Sequence, residues 1–122
     1  MKTKTVVTLF AVTLATSVIA QTSLVSLPVY TALEAQKHVR ETATIKDKVD
    51  SVHQSGKGSV FLNMGGKYPN QAFTAFIPAS SAGQFSNLQQ YQGQTVSVSG
   101  KITLYRGKPE IIVNLPSQIT AR

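Results

Sequence analysis

The sequence predicts a small all-β protein with little α-helix, in which five strands form a barrel. Over residues 95–104, even-numbered positions are apolar and odd-numbered positions are polar, the period of a strand with one buried face. Gly100 falls on the apolar side, where the lack of a side chain lets a strand bend around a small barrel. A tight turn at residues 105–108 and a second apolar run at 111–113 complete a hairpin with a cationic and aromatic tip.

The preceding part of the chain predicts a helix, three strands and a helical connection. Thr31 and Glu34 have the spacing of a capping box, which predicts a short helix over residues 30–39. Apolar runs separated by glycine-containing turns then predict strands at 42–50, 60–64 and 73–77. Pro78 ends the last of these, and a helical turn is expected at 79–85.

The first predicted strand, residues 42–50, resembles residues 95–103 when the two are aligned. Asp47 then matches Gly100, and aspartate is one of the few residues other than glycine that tolerates unusual backbone angles. We therefore expect both strands to bend at these two positions.

The N-terminus has the pattern of a secretory signal peptide. Lys2 and Lys4 precede an uncharged run at 6–19, and Ala20 is the small residue that signal peptidase requires before the cut. A membrane anchor is the alternative, but the run is shorter than the roughly 20 apolar residues of a spanning helix and is diluted by threonine. We expect a periplasmic or secreted protein without a membrane span, divided into a signal peptide at 1–20, a leader at 21–29 and one domain at 30–122.

The chain is basic and contains no cysteine. It has 12 lysine and arginine residues against 5 aspartate and glutamate residues, and loss of Lys2 and Lys4 with the signal leaves a net charge of about +5. Such a charge promotes solubility and favours anionic partners such as nucleic acid, lipopolysaccharide, phospholipid headgroups or acidic polysaccharide. The lack of cysteine excludes thiol catalysis and zinc–thiolate sites.

Residue types that support catalysis are few and poorly spaced for it. Asp47 and Asp50 lie close in sequence but no second acidic motif accompanies them, so both are interpreted as solvated strand residues. His38 and His53 have no further histidine at metal-ligand spacing, and no glycine pattern matches a phosphate-binding loop. The sequence therefore predicts a protein that is not an enzyme and has no catalytic residues, metal site or cofactor.

Five strands with a helical connection between the third and the fourth resemble the OB-fold, the oligonucleotide- and oligosaccharide-binding barrel. Residues 65–73, 99–102 and 105–111 are similar to segments of bacterial OB-fold domains described as nucleic-acid-binding, some of them attached to exported nucleases. The resemblance extends over residues 30–119. It implies a nucleic-acid-binding barrel, although small exported OB-fold proteins with stress-related roles share the architecture.

One residue departs from this resemblance. Related domains often carry glycine where Asp47 stands, between Lys46 and Lys48. If this strand belongs to the binding face, the added negative charge lowers the affinity for phosphate.

The resemblance implies a groove flanked by the loop between strands one and two and the loop between strands four and five. Single-stranded nucleic acid needs cations for its phosphates and flat rings on which its bases stack. The predicted cations are Lys57, Arg106 and Lys108. The predicted rings are Tyr68, Tyr105 and one of Phe61 and Phe73. Alternatively, Phe61, Phe73 and Phe76 fill the core and Tyr68 anchors a loop.

The leading hypothesis is an exported, non-catalytic module that binds an anionic polymer, above all single-stranded DNA or RNA. The alternative is a periplasmic envelope or stress protein that acts through a protein partner, a glycan or lipopolysaccharide. Exposed polar strand edges and the glutamine-rich residues 84–94 favour this alternative. The sequence favours no particular oligomeric state.

Overall fold

Seven strands join into one sheet in the computed structural model of this protein, which describes residues 26–121. Five are long, and they correspond to the strands predicted from the sequence: β2 Thr42–Gln54, β3 Val60–Met64, β4 Phe73–Ile77, β5 Thr95–Tyr105 and β6 Lys108–Ile112. Two short strands, β1 Val29–Tyr30 and β7 Ile119–Ala121, are additional to the prediction. The predicted signal peptide at 1–20 and residues 21–25 of the predicted leader lie outside the described residues.

The sheet closes on itself because β2 and β5 each pair with several partners. Its strand order is β1-β2-β3-β4-β6-β5-β7, and an additional pairing joins β2 to β5. The first half of β2 is antiparallel to β5, from Thr42 opposite Lys101 to Lys48 opposite Thr95, and its second half pairs with β3. β4 and β6 run parallel. The five long strands therefore form a closed sheet.

Short helices connect the strands. A 3₁₀ helix, Leu33–His38, follows β1, and Thr31 and Glu34 exchange the expected hydrogen bonds at its start, with distances of 2.9 and 3.3 Å. An α-helix, Ala79–Ala82, and a 3₁₀ helix, Leu88–Tyr91, connect β4 to β5. A last 3₁₀ turn, Pro116–Gln118, precedes β7. Within residues 26–121, none of the helices has the length and apolar character needed to cross a membrane.

Alternate side chains of the strands fill the interior, as their period of two predicts. The fully buried apolar residues include Ile45, Val49, Leu62, Met64, Phe73, Ile77, Val96, Val98, Ile102 and Ile111. Phe61 and Phe76 instead point to the outer face, where both are partly exposed. The interpretation of all three phenylalanines as core residues is therefore correct only for Phe73.

Gly100 lies where β5 stops pairing with β2 and begins to pair with β6. It pairs with Ala43 of β2, and two positions later Ile102 pairs with Ile111 of β6. The φ angle of Gly100 is 156°, and a Cβ atom at this position would lie 2.7 Å from Cγ2 of Ile111. The close approach of β6 to β5 therefore requires glycine here.

Asp47 has a different role from the one expected. Its Oδ2 atom accepts a hydrogen bond from the backbone N–H of Ala32 at 2.9 Å, which holds the N-terminal 3₁₀ helix against the sheet. β2 remains in regular register with β5 through Asp47, so the expected bend at this residue is wrong. The irregularity falls between Val49 and Ser51, because β2 changes its partner from β5 to β3 there.

Replacing Gly100 by alanine is expected to lower the free energy of unfolding by about 1–3 kcal/mol, because the added methyl group overlaps Ile111 in a packed interior. Urea denaturation measures the loss. Gly83→Ala is the matched control, since a Cβ atom there meets nothing within 4 Å and its backbone is right-handed helical. Equal stability of wild type and Gly100→Ala would contradict the role assigned to this glycine.

Candidate functional site

The outer face of β2, β3, β4 and β6 forms the floor of an open groove of about 740 Å³. Residues in register lie side by side on neighbouring strands, so two rows of side chains cross this face. The first, called the polar row, consists of Ser51, Asn63, Thr74 and Glu110. The second, called the aromatic row, consists of His53, Phe61 and Phe76, and it ends at Ile112.

Hydrogen bonds join the polar row to the loop between β3 and β4. The side-chain amide of Gln71 donates to the hydroxyl of Thr74 at 3.2 Å, and this hydroxyl donates to Oδ1 of Asn63 at 3.1 Å. The amide of Asn63 donates in turn to the hydroxyl of Ser51 at 3.2 Å. Gln71 is at the head of this chain of donors. Its own Oε1 atom is buried and has no donor among the described residues.

Glu110 is the end of the polar row on β6, in register with Thr74. The residue is only 9% exposed, and this burial raises the pKa of its carboxyl group above the ordinary range. A buried carboxylate is disfavoured because it loses its hydration. The floor of the groove thus holds two acceptor groups, the carboxyl of Glu110 and the side-chain carbonyl of Gln71.

The aromatic row offers flat rings beside these polar groups. The ring centroids of His53 and Phe61 are 5.8 Å apart, and those of Phe61 and Phe76 are 5.1 Å apart. Phe61 and His53 line the groove directly, and His53 is exposed. Rings at these distances form a continuous apolar strip on which a planar ligand can stack.

Two further tyrosines stand on the rim of the groove, Tyr68 on the β3–β4 loop and Tyr105 at the end of β5. They are 73% and 54% exposed, more than a side chain needed for packing would be. The guanidinium carbon of Arg106 lies 5.2 Å from the ring centroid of Tyr105. Arg106 and Gly107 have φ angles of 52° and 80°, the pair of positive values that a two-residue type I′ hairpin requires.

Lys108 connects the two sides of the rim. Its ammonium group donates to the backbone carbonyl of Pro69 and, at 3.1 Å, to that of Gln71. At the start of the same loop, the N–H of Gly66 donates to Oδ2 of Asp50 at 2.7 Å. The β3–β4 loop is therefore fixed to β6 at one point and to β2 at another, and these contacts set the position of Tyr68.

The rim is positively charged. Within residues 26–121 the one close contact between a basic and an acidic side chain joins His38 to Glu41 at 2.8 Å, and neither residue lines the groove. The cations of the rim, Lys67, Arg106 and Lys108, are thus not neutralised by a carboxylate of this part of the chain. The same described residues contain no cluster of three histidine or acidic side chains that could hold a metal ion.

The structure brings five of the six predicted ligand-binding residues to the groove: Phe61, Tyr68, Tyr105, Arg106 and Lys108. Lys57 does not line it, because this residue lies at the exposed tip of the β2–β3 loop, beyond the groove. Ser55 is the one residue of this loop that lines the groove. Phe73 is buried in the core. Sequence reasoning missed the polar row, Gln71, His53 and Lys67. The alternation along β3 is a signal for Asn63, which follows Phe61 on the same face.

A closed sheet of five long strands, with a groove on the face of the second and third of them and beside the turn between the fourth and fifth, is the arrangement of an OB-fold. The chain therefore has the strand arrangement of an OB-fold. No protein-family model and no curated protein matches the chain.

Among solved structures that match, a candidate aspartyl-tRNA synthetase from Leishmania major covers 88% of this chain with a TM-score of 0.55 and 15% identity. An aspartyl-tRNA synthetase from Entamoeba histolytica covers 73% of it with a TM-score of 0.50 and 18% identity. This chain spans 23% and 20% of the length of those two chains. The likeness is one of fold.

Replacing Glu110 by glutamine is expected to stabilise the protein at pH 8. The folded state disfavours the carboxylate, so the native protein keeps its proton to a higher pH than the unfolded chain does. Wild-type stability consequently falls as the pH rises from about 4.3, the ordinary pKa, through the raised pKa. Glutamine has no charge to bury, and the melting temperature of the variant should exceed that of wild type at pH 8 but not at pH 3.5.

Thermal unfolding at both pH values measures the difference, with about 4–8 °C expected for each kcal/mol in a domain of this size. Glu34→Gln is the matched control, because Glu34 is exposed and glutamine can still accept the capping-box hydrogen bond from the N–H of Thr31. A Glu110→Gln variant whose melting temperature equals that of wild type at pH 8 would contradict the effect of burial.

Proposed function

We propose that this protein is a non-catalytic OB-fold barrel that binds single-stranded DNA or RNA outside the cytoplasm. The groove carries the proposal, because rings cross its floor while cations and exposed tyrosines stand on its rim. Two structural neighbours are proteins named for tRNA, and RNA is accordingly included among the proposed ligands. The signal-peptide pattern of residues 1–20 supports a location outside the cytoplasm.

The arrangement of the groove suits the two parts of a nucleotide. Phosphates are attracted to Lys67, Arg106 and Lys108 on the rim, and bases stack on Phe61 and the exposed tyrosines. Each stacked base contributes roughly 1–3 kcal/mol. Three phosphate contacts give a slope of about −2 for the logarithm of the binding constant against the logarithm of salt concentration.

The hydrogen-bond chain of the polar row supports binding without cleavage. A serine or threonine acts as a nucleophile only when a base removes its proton. The hydroxyl of Thr74 donates its proton to the amide oxygen of Asn63, which is not a base.

An acidic glycan or lipopolysaccharide is the competing ligand class, since the rim cations suit it equally well. The aromatic row and the two exposed tyrosines favour nucleobases, which present a flat face to every ring. Heparin added to the oligonucleotide complex separates the two classes. Displacement of the oligonucleotide only at a large excess of heparin supports nucleic acid, and displacement by equal amounts supports the glycan.

Replacing Arg106 by asparagine is expected to weaken binding without loss of stability. The left-handed conformation of Arg106 is unfavourable by roughly 1 kcal/mol, and Asn-Gly is the preferred sequence of a type I′ turn. The affinity for a fluorescently labelled dodecamer should fall several-fold at 50 mM salt, and the salt slope should become shallower by about 0.7. Fluorescence anisotropy over a salt series and urea denaturation measure the two effects.

Lys46→Ala is the matched charge control for this experiment, because Lys46 is exposed on β2 outside the groove. We expect its affinity to remain within about twofold of wild type. Lys57→Ala should also lose less affinity than Arg106→Asn. Lack of binding to any oligonucleotide at 50 mM salt, or an equal loss in Lys46→Ala and Arg106→Asn, would overturn the proposal.

Export is tested by the mass of the protein recovered from the periplasm or medium of a bacterial host. The mature chain is expected to begin at Gln21, since Ala20 precedes the proposed cut. An Ala20→Arg variant should keep residues 1–20, because signal peptidase requires a small residue there. Full-length wild-type protein in the cytoplasm would contradict export.

A further inference from the structure

We infer that the floor of the groove selects a nucleobase edge with adjacent N–H donors, the edge of guanine, and that Gln71 and Glu110 make this selection. The inference rests on the proposed function and adds to it the part of the ligand that enters the floor. The reason lies in the two acceptor groups of the floor.

The carbonyl oxygen of Gln71 is a buried acceptor that lacks a donor among the described residues. Its side chain is held in place, because its amide nitrogen donates to Thr74 and its backbone carbonyl accepts from Lys108. The residue is 9% exposed and lines the groove. Leaving a buried acceptor unpaired is unfavourable, and a donor on a ligand in the groove would remove this penalty.

Glu110 supplies the second acceptor. Thr74 is the register partner of Glu110 and the hydrogen-bond partner of Gln71, so both side chains neighbour the same threonine. The cation nearest in sequence, Lys108, directs its ammonium group to loop carbonyls. The carboxyl of Glu110 is therefore available to a donor from the groove.

These acceptors exclude phosphate from the floor, so the floor remains open to the base. A phosphate is repelled by a carboxylate and by a carbonyl oxygen, but it is attracted to Lys67 and Arg106 on the rim. A single strand that follows the rim therefore turns the edges of its bases toward Gln71 and Glu110.

The edges of the bases differ in the donors that they offer. Guanine presents a ring N–H and an amino group side by side, one donor for each of the two acceptor groups. Adenine and cytosine present one amino group each. Thymine and uracil present one N–H between two carbonyl oxygens, and these oxygens would face the acceptors of the floor. From the number of donors we expect the floor to bind guanine most tightly and thymine or uracil most weakly.

The test compares labelled DNA dodecamers of equal length and charge, one of thymine alone and one of repeated thymine-thymine-guanine, whose spaced guanines avoid multistranded assembly. Repeats with adenine or cytosine in place of guanine complete the series. At 50 mM salt we expect the guanine oligonucleotide to bind about tenfold or more tightly than the thymine oligonucleotide. Fluorescence anisotropy gives the ratio of the two affinities.

Two variants test the residues. Glu110→Met and Gln71→Met each remove one acceptor group at nearly constant size, and each should bring the affinity ratio toward one while the thymine oligonucleotide binds within about twofold of wild type. Glu34→Gln is the control and should keep the wild-type ratio. If one of the two variants does not fold, as judged by circular dichroism, the other tests the same acceptor pair.

Each remaining outcome overturns a defined part. Equal, salt-sensitive affinity for all four oligonucleotides overturns the inference and leaves the proposed function intact. A guanine preference that survives both Glu110→Met and Gln71→Met overturns the assignment to these residues. Failure of every oligonucleotide to bind at 50 mM salt overturns the proposed function and the inference with it.

Discussion

A sheet of five strands that closes on itself encloses a small volume, and this constraint determines which side chains remain for binding. On β3, Leu62 and Met64 fill the interior, so the alternate residues Phe61 and Asn63 must face outward. On β4, Phe73 is inside and Thr74 is outside for the same reason. The rings and polar groups line the groove because the alternate residues of the same strands fill the core. A register shift of one residue on either strand would turn the core residues outward and the groove residues inward.

Patterns within single strands predict the long strands, the hairpin tip and the special position of Gly100, because they depend on neighbouring residues. The parts of the site that escape prediction depend on pairing between distant segments. Parallel pairing of β4 with β6 places Glu110 beside Thr74, and Lys108 reaches across to the β3–β4 loop. The expectation for Lys57 follows the usual OB-fold loops, whereas in this protein the β3–β4 loop forms that part of the rim.

The rim and the floor of the groove differ in charge and therefore act differently on a ligand. The chain carries a formal net charge of +7, and the rim adds local cations without carboxylate partners in the described part of the chain. Such a field raises the rate of encounter with any polyanion but does little to distinguish one from another. The nearly buried carboxyl of Glu110 and the carbonyl of Gln71 act only at hydrogen-bond distance. Attraction and discrimination thus reside in different residues.

β6 contributes to both the rim and the floor, since it carries Lys108 and Glu110, and it lies between β4 and β5. It is also the last of the five long strands along the chain. While the chain is being synthesised, β4 and β5 lack their common neighbour and the β3–β4 loop lacks its lysine anchor until residue 112 has left the ribosome. The groove is therefore complete only when β6 has been made, and a nascent or truncated chain that ends before β6 lacks the cation of Lys108 and the carboxyl of Glu110.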